Sequence, residues 1–120
     1  MDDLRRLDHF LVRQLVETAR DESDRDEFRK LCADAIADAS TQLARLARSD
    51  HPRTTDTTLA LELHTMKGTL ASIGLGGLAD GLAHIESRLK SGGTVSPDDF
   101  SRLHAALAEA GATLLQLLPP

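Results

Sequence analysis

The chain has 120 residues, a net charge of −5 and 41% apolar residues, enough for one domain with a modest hydrophobic core. The negative charge argues against nucleic acid as a partner, and no apolar run approaches the roughly 20 residues that span a bilayer. The only aromatic residues are three Phe, and so few aromatic residues favour packed helices over sheets.

The N-terminal residues and the single cysteine favour a reducing, cytoplasmic compartment. Asp2 and Asp3 follow Met1 where a secretory signal would have basic residues, so we expect a cytoplasmic protein. Cys32 has no partner for an internal disulfide and is expected to be a small buried apolar residue. No His/Cys spacing resembles a zinc site, so no metal is predicted.

Two helical segments are predicted in the first half of the chain. The first covers Asp3 to Arg20, and the second covers about Asp24 to Ser49. Acidic residues and a serine between them favour helix caps. The residues expected to face inward from the second segment are Phe28, Leu31, Ala35, Ala39, Leu43 and Leu46.

A third helix is predicted after the loop at Asp50–Arg53, with Thr54, Thr55 or Asp56 as its cap. It should end near Gly74, a residue suited to a left-handed terminus, and Gly76 and Gly77 should loosen the connection that follows. Steps of four and three give its buried stripe, which comprises Leu59, Leu63, Met66, Leu70 and Ile73.

Two further helices complete the predicted elements. The fourth buries Leu78, Leu82, Ile85 and Leu89, and a turn follows at Ser91–Thr94. Ser96-Pro97 followed by two acidic residues is a strong helix start. The fifth helix is expected to bury Phe100, Leu103, Leu107, Ala110, Leu114 and Leu117.

Four helices joined by short loops predict an all-α fold, an antiparallel up-down four-helix bundle with an additional N-terminal helix. We expect residues 1–120 to form a single domain and the isolated domain to be a monomer, because a four-helix core closes on itself.

His64 and Gly68 are unusual residues for the middle of the third helix. Glycine there costs about 1 kcal/mol relative to alanine, so helix stability alone does not explain Gly68. On a helical wheel His64 lies roughly 140° from the buried stripe, on the outward face. A partner that approaches the backbone beside His64 would explain the glycine.

Small and apolar residues are predicted to surround this histidine. Ala60, Leu61, Ala71 and Leu75 would form a low-relief patch for a partner, and Lys67 lies at the edge of the same face. A transient contact there would bury on the order of 1,200 Å² in total or less.

The order His64, Lys67, Gly68, then Gly74, Leu78, Leu82 and Glu86, resembles the histidine-containing phosphotransfer (HPt) domains of multistep two-component phosphorelays. The resemblance implies that His64 is the phosphoacceptor, that Lys67 offsets phosphoryl charge and that Gly68 gives a partner access. It also implies a response-regulator receiver domain as partner, which supplies an aspartate and Mg²⁺. The chain would then need no cofactor of its own and would be a phosphoryl carrier rather than an enzyme.

An exposed imidazole can attack a phosphoryl group in line, and phosphoryl transfer asks a protein mainly for positioning and charge stabilisation. The sequence has no Gly-rich nucleotide loop and no acidic metal cluster, so the remaining catalytic groups should come from the partner. That partner could belong to the same hybrid sensor kinase.

Two alternatives remain open at this point. One is the phosphorylatable domain of a chemotaxis-type kinase, which receives its phosphoryl group from an ATP-bound kinase domain. The stretch His84-Ile85-Glu86 faintly resembles the fourth helix of such domains. The other is an inert helical interaction module with no phosphochemistry. Phosphate on His64 after exposure to a phosphodonor would distinguish transfer from mere binding.

Overall fold

A computed structural model describes residues 2–48 and 57–118, and the regular elements in those ranges are all helices, with no β-strand. A short 3-10 helix covers Asp2–Arg5. The α-helices are α1 (His9–Thr18), α2 (Glu22–Ala47), α3 (Thr57–Ser72), α4 (Gly76–Lys90) and α5 (Pro97–Leu117). The all-helical fold class is therefore confirmed. No helix in the described ranges is long and apolar enough to cross a membrane.

Capping side chains fix the first residues of two helices, α2 and α5. The Asp21 carboxylate accepts the backbone N–H of Asp24 at 2.8 Å and caps α2. At the start of α5, the Asp99 carboxylate accepts the backbone N–H of Ser96 at 2.8 Å, as in a capping box. The predicted start at Ser96-Pro97 is confirmed. The predicted caps of α3 and the loop before them lie outside the described residues.

The hydrophobic core lies between two helix pairs. α2 packs mainly on α5, and α3 packs mainly on α4, while the 3-10 helix rests against α4 and α5. The stripes predicted for α3 and α4 are entirely buried, so both predictions are confirmed. Cys32 is also completely buried, as expected. The antiparallel up-down order of the four helices stays a prediction.

Two inward-facing predictions are wrong. Leu31 on α2 is 59% exposed, and Leu117 on α5 is 47% exposed. Cys32, the neighbour of Leu31, takes the buried position in that turn of α2. Leu117 belongs to the last turn of α5, where the buried side is taken by Leu114 and Leu118 instead.

The prediction of one continuous helix from Asp3 to Arg20 is wrong, because the chain breaks between Arg5 and His9. Hydrogen bonds to the segment between α3 and α4 and to the first turn of α4 stabilise this non-helical stretch. The Gly77 N–H donates to the Arg6 carbonyl at 2.9 Å, and the Asp8 N–H donates to the Gly74 carbonyl at 2.8 Å. Asp8 then caps α1 by accepting the N–H of Leu11 at 3.0 Å.

The two glycines after Gly74 do not loosen the connection as predicted, because Gly76 and Gly77 form the first turn of α4. Gly77 allows a close approach instead. A Cβ built on it would lie 1.8 Å from the Asp3 carbonyl oxygen, so a side chain there would displace the N-terminal segment. Gly74 has a φ of +94°, which confirms its predicted left-handed role.

Candidate functional site

His64 lies on the outward face of α3, with 60% of its side chain exposed. The outward placement predicted from the helical wheel is therefore confirmed. Gly68 lies one turn later, and a Cβ built on it would meet nothing within 4 Å, so the backbone beside the histidine is open. An approaching molecule can reach the imidazole without meeting a bulky side chain at this position.

Glu86 on α4 is the residue that contacts the imidazole. Its side chain is only 6% exposed, and its Oε2 atom lies 3.2 Å from His64 Nδ1. The other carboxylate oxygen accepts a hydrogen bond from Lys67 Nζ at 3.0 Å. Lys90, one turn further along α4, places its Nζ 3.1 Å from Oε2. Two lysines and the histidine therefore surround one buried carboxylate.

The charge of Glu86 is fixed by these lysines. Burial raises the pKa of the carboxyl group, but hydrogen bonds and charge from Lys67 and Lys90 outweigh burial and lower the pKa to about 2. At neutral pH the group is therefore a carboxylate. It can only accept hydrogen bonds, so its contact with His64 assigns the ring proton to Nδ1.

This hydrogen bond leaves the second ring nitrogen, Nε2, with a free lone pair. Nε2 is then the ring nitrogen that could react, and the contact with Glu86 holds the ring in one orientation. A buried carboxylate that orients a histidine while the opposite nitrogen reacts is a recurrent arrangement in catalytic sites. The cluster as a whole has two ammonium groups for one carboxylate, so it favours an incoming anion.

The predicted apolar patch is only partly present around His64. Leu61 is 66% exposed, Ala71 is exposed and Ala60 is half-buried, so these three lie at or near the surface of the histidine's helix. Their role in binding a partner stays a prediction.

Leu75 is completely buried, so the prediction that it joins the exposed patch is wrong. The cause is the way α3 ends. The Leu75 N–H donates to the Leu70 carbonyl at 3.0 Å, and the Gly74 N–H donates to the Ala71 carbonyl at 3.1 Å, which is the Schellman pattern. In that pattern the residue after the glycine turns back onto the helix, and Leu75 is buried like Leu70.

The roles of Glu86 and Lys90 are not predicted from the sequence. The family resemblance includes Glu86 but implies no function for it, and it does not include Lys90. Their i,i+4 spacing on a predicted helix is a signal for an ion pair. Their contact with α3 depends on how α3 and α4 are aligned, which spacing along one helix does not reveal.

No group of three or more His, Cys, Asp or Glu residues in the described ranges could hold a metal ion. Mg²⁺ on the partner stays an expectation from the resemblance. Another described histidine, His104, joins α5 to α2 through a 3.1 Å contact between Nε2 and the Ser40 hydroxyl.

Comparison with known families found one matching family model. The family model for the Hpt domain matches residues 3–113. This range includes the six described helices except for the first residue of the 3-10 helix and the last turn of α5. Comparisons with curated proteins and with solved structures found no match. Because the family model covers nearly the whole chain, including His64, Lys67, Gly68 and Glu86, the protein belongs to the Hpt domain family.

Proposed function

We propose that the protein accepts a phosphoryl group on Nε2 of His64 from the aspartyl phosphate of a receiver domain and passes it to another receiver. Members of the Hpt family serve as histidine phosphocarriers in phosphorelays. The observation that supports the specific site is the contact between Nδ1 of the largely exposed His64 and the buried Glu86, which leaves Nε2 free for reaction.

The transfer step follows from this geometry. The Nε2 lone pair attacks the phosphorus in line, an N–P bond forms, and the bond between phosphorus and the aspartyl oxygen breaks. The receiver regains a free carboxylate, and the ring keeps its proton on Nδ1. The positive charge that develops on the ring is stabilised by Glu86, 3.2 Å away.

The lysines would stabilise the transferred group. Lys67 and Lys90 both bind Glu86 in the resting protein, and both amino groups lie at the carboxylate that faces His64. A phosphoryl group on Nε2 would offer them a second anion. The receiver would contribute the aspartate and, as the family resemblance implies, Mg²⁺ for its own active site. In this proposal the chain only receives the phosphoryl group and passes it on, so it acts as a carrier and not as an enzyme.

The proposed scaffold is the antiparallel up-down four-helix bundle, supported by the packing of α2 on α5 and of α3 on α4. We further propose one domain over residues 1–120, a monomer in the cytoplasm, acting alone or within a hybrid sensor kinase.

Labelling of His64 tests the proposal. After incubation with phosphorylated receiver domains, the wild type should acquire acid-labile, base-stable phosphate. His64→Gln should acquire none and should melt at nearly the same temperature, because the side chain is largely exposed. An unlabelled wild type, or a variant that is labelled equally, would contradict the proposal.

A second candidate is the phosphorylatable domain of a chemotaxis-type kinase. The observation that favours it is the acidic residue of His84-Ile85-Glu86 in contact with His64. An ATP-bound kinase core would then be the efficient donor. Incubating the protein in parallel with such a core plus ATP and with a phosphorylated receiver separates the two, and absence of label from both would leave an inert interaction module.

A further inference from the structure

An open cavity of about 540 Å³ lies between α4 and α5, beside the N-terminal 3-10 helix. It exists because α4 packs mainly on α3 and α5 packs mainly on α2, which leaves a gap between α4 and α5. Leu4 of the 3-10 helix fills part of this gap, and a Cβ built on Gly81 would lie 2.6 Å from its Cδ2 atom. The volume is in the range of pockets that bind small organic molecules.

The cavity and the His64 site lie on opposite sides of α4. His84 and Arg88 line the cavity, whereas Glu86 contacts His64 and is itself contacted by Lys90. At roughly 100° per residue, helix positions two apart point about 200° away from each other. A molecule in the cavity would therefore leave His64 free for its own partner.

Two arginines meet at a buried carboxylate at one end of the cavity. The Asp99 side chain is 9% exposed, and its oxygens lie 3.3 Å from Arg88 Nη2 and 3.2 Å from Arg102 Nη2. Burial raises the pKa of Asp99, but the Ser96 N–H and the two arginines outweigh burial and lower it, so the group is a carboxylate at neutral pH. Two positive charges therefore face one negative charge at this end.

Arg102 is the arginine that can contact a further anion. Arg88 also donates to the Thr94 carbonyl at 2.6 Å, which fixes it to the turn before α5. The Arg102 side chain is 71% exposed, and a guanidinium group presents N–H groups in a planar fork that matches a carboxylate or a phosphate. His84 is exposed, lines the same cavity and can donate a ring N–H.

The rest of the cavity is apolar in its middle and acidic at its other end. Leu4 and Leu103 line the middle. Asp3 and Asp80 lie near the start of α4, where Asp80 forms an ion pair with Arg6. An anionic group would avoid these carboxylates and favour the arginine end, while an apolar group would favour the leucines.

From these observations we infer that the cavity between α4 and α5 binds a small organic anion. The carboxylate or phosphate group of this molecule pairs with Arg102 and His84, and its apolar part lies on Leu4 and Leu103. The inference goes beyond the proposed function, because it assigns a ligand to the side of α4 that faces away from His64.

Titration with phenyl phosphate, followed for each residue in amide NMR spectra, tests this inference. Phenyl phosphate has an anionic group and an apolar ring, phenol has the ring alone, and inorganic phosphate has the charge alone. Arg102→Gln removes the exposed guanidinium group, and His84→Gln removes the imidazole. Arg13→Gln, at an exposed position on α1 outside the cavity, is the matched control.

We expect saturable shifts at His84, Arg88 and Arg102, with the signals of His64 unchanged. Phenol and inorganic phosphate should each bind more weakly than phenyl phosphate. Arg102→Gln should raise the dissociation constant about tenfold, the loss expected for a charge-assisted hydrogen bond, and His84→Gln should raise it less. The control variant should bind as the wild type does.

Shifts that do not saturate, or that are confined to the residues around His64, would overturn the inference. So would equal dissociation constants for the wild type, Arg102→Gln and His84→Gln. Labelling of His64 by a phosphorylated receiver is a separate measurement, so failure of this inference and failure of the proposed function are distinguishable.

Discussion

At the residue scale, the site is organised around one carboxylate, that of Glu86, which contacts His64 and two lysines. Glu86 is bound by Lys67, which is 30% exposed, and by Lys90, which is 67% exposed. Solvent screens the charge of an exposed ammonium group more than that of a partly buried one. Lys67 should therefore have the stronger effect on Glu86 and on the proposed reaction at His64.

This difference predicts unequal losses of transfer. Lys90→Gln should slow phosphotransfer from a receiver about two- to fivefold, the equivalent of an exposed charge pair, and Lys67→Gln should slow it more. Single-turnover transfer rates measure both effects. Lys30→Gln, at a lysine that pairs with Asp34 on α2, is the control and should have no effect. Equal rates for Lys90→Gln and the wild type would remove Lys90 from the site.

At the element scale, α3 contains a glycine that its own stability does not require. The space around Gly68 is open, so Gly68→Ala introduces no clash and should raise the free energy of unfolding by about 0.5–1 kcal/mol. The same variant should transfer more slowly from a receiver, because the new methyl group lies where the partner approaches. Urea unfolding and transfer kinetics measure the two effects, and transfer at the wild-type rate would refute the access role.

The same substitution in α4 should have the opposite effect on stability. Gly77→Ala places a Cβ against the Asp3 carbonyl oxygen and within 3 Å of the Leu4 and Arg6 backbone. The N-terminal 3-10 helix must move away, and the hydrogen bond from Gly77 to Arg6 is lost. We expect a loss of more than about 1 kcal/mol despite the better helix propensity of alanine.

Urea unfolding of Gly77→Ala beside Gly68→Ala provides the comparison, because both replace a helical glycine with alanine. A variant at position 77 as stable as the wild type would show that the N-terminal segment is free to shift at little cost.

At the scale of the whole molecule, two buried carboxylates make the free energy of unfolding depend on pH. Glu86 has a pKa of about 2, below its ordinary value of 4.5. Burial raises the pKa of Asp99, but the Ser96 N–H together with Arg88 and Arg102 outweighs burial and lowers it. Groups with a lowered pKa stabilise the fold above their unfolded pKa, and this stabilisation is lost as the pH falls towards the folded pKa.

The wild type should therefore lose stability as the pH falls from about 5 to about 2, and protonation of Glu86 should account for part of this loss. Glu86→Gln should show a smaller loss over that range, and Asp99 accounts for part of what remains. Urea midpoints at pH 3 and pH 7 test this. Glu27→Gln, at an exposed position on α2, is the control. An equal loss in Glu86→Gln and the wild type would contradict the prediction.

The sequence predicted those parts of the molecule that depend on one helix alone. The α3 stripe and the outward position of His64 follow from a repeat of four and three, which tertiary contacts do not change. The break before α1 could not be predicted in this way, because it is held by Gly74 and Gly77, about 70 residues further along the chain. Glu86 was missed for the same reason, since its role exists only when α4 lies against α3.

Contacts within the α3–α4 hairpin join residues that are close in the chain, whereas contacts between α2 and α5 join residues that are far apart, and this difference should set the order of folding. His64, Lys67, Glu86 and Lys90 all lie on one helical hairpin, while the contact between Arg29 and the Leu115 carbonyl closes a loop of most of the chain. Pairings between near neighbours cost less closure entropy and form sooner. The hairpin that contains His64 should therefore gain its amide protection before α2 and α5 pack on each other. Pulse-labelled hydrogen exchange during refolding would detect this order.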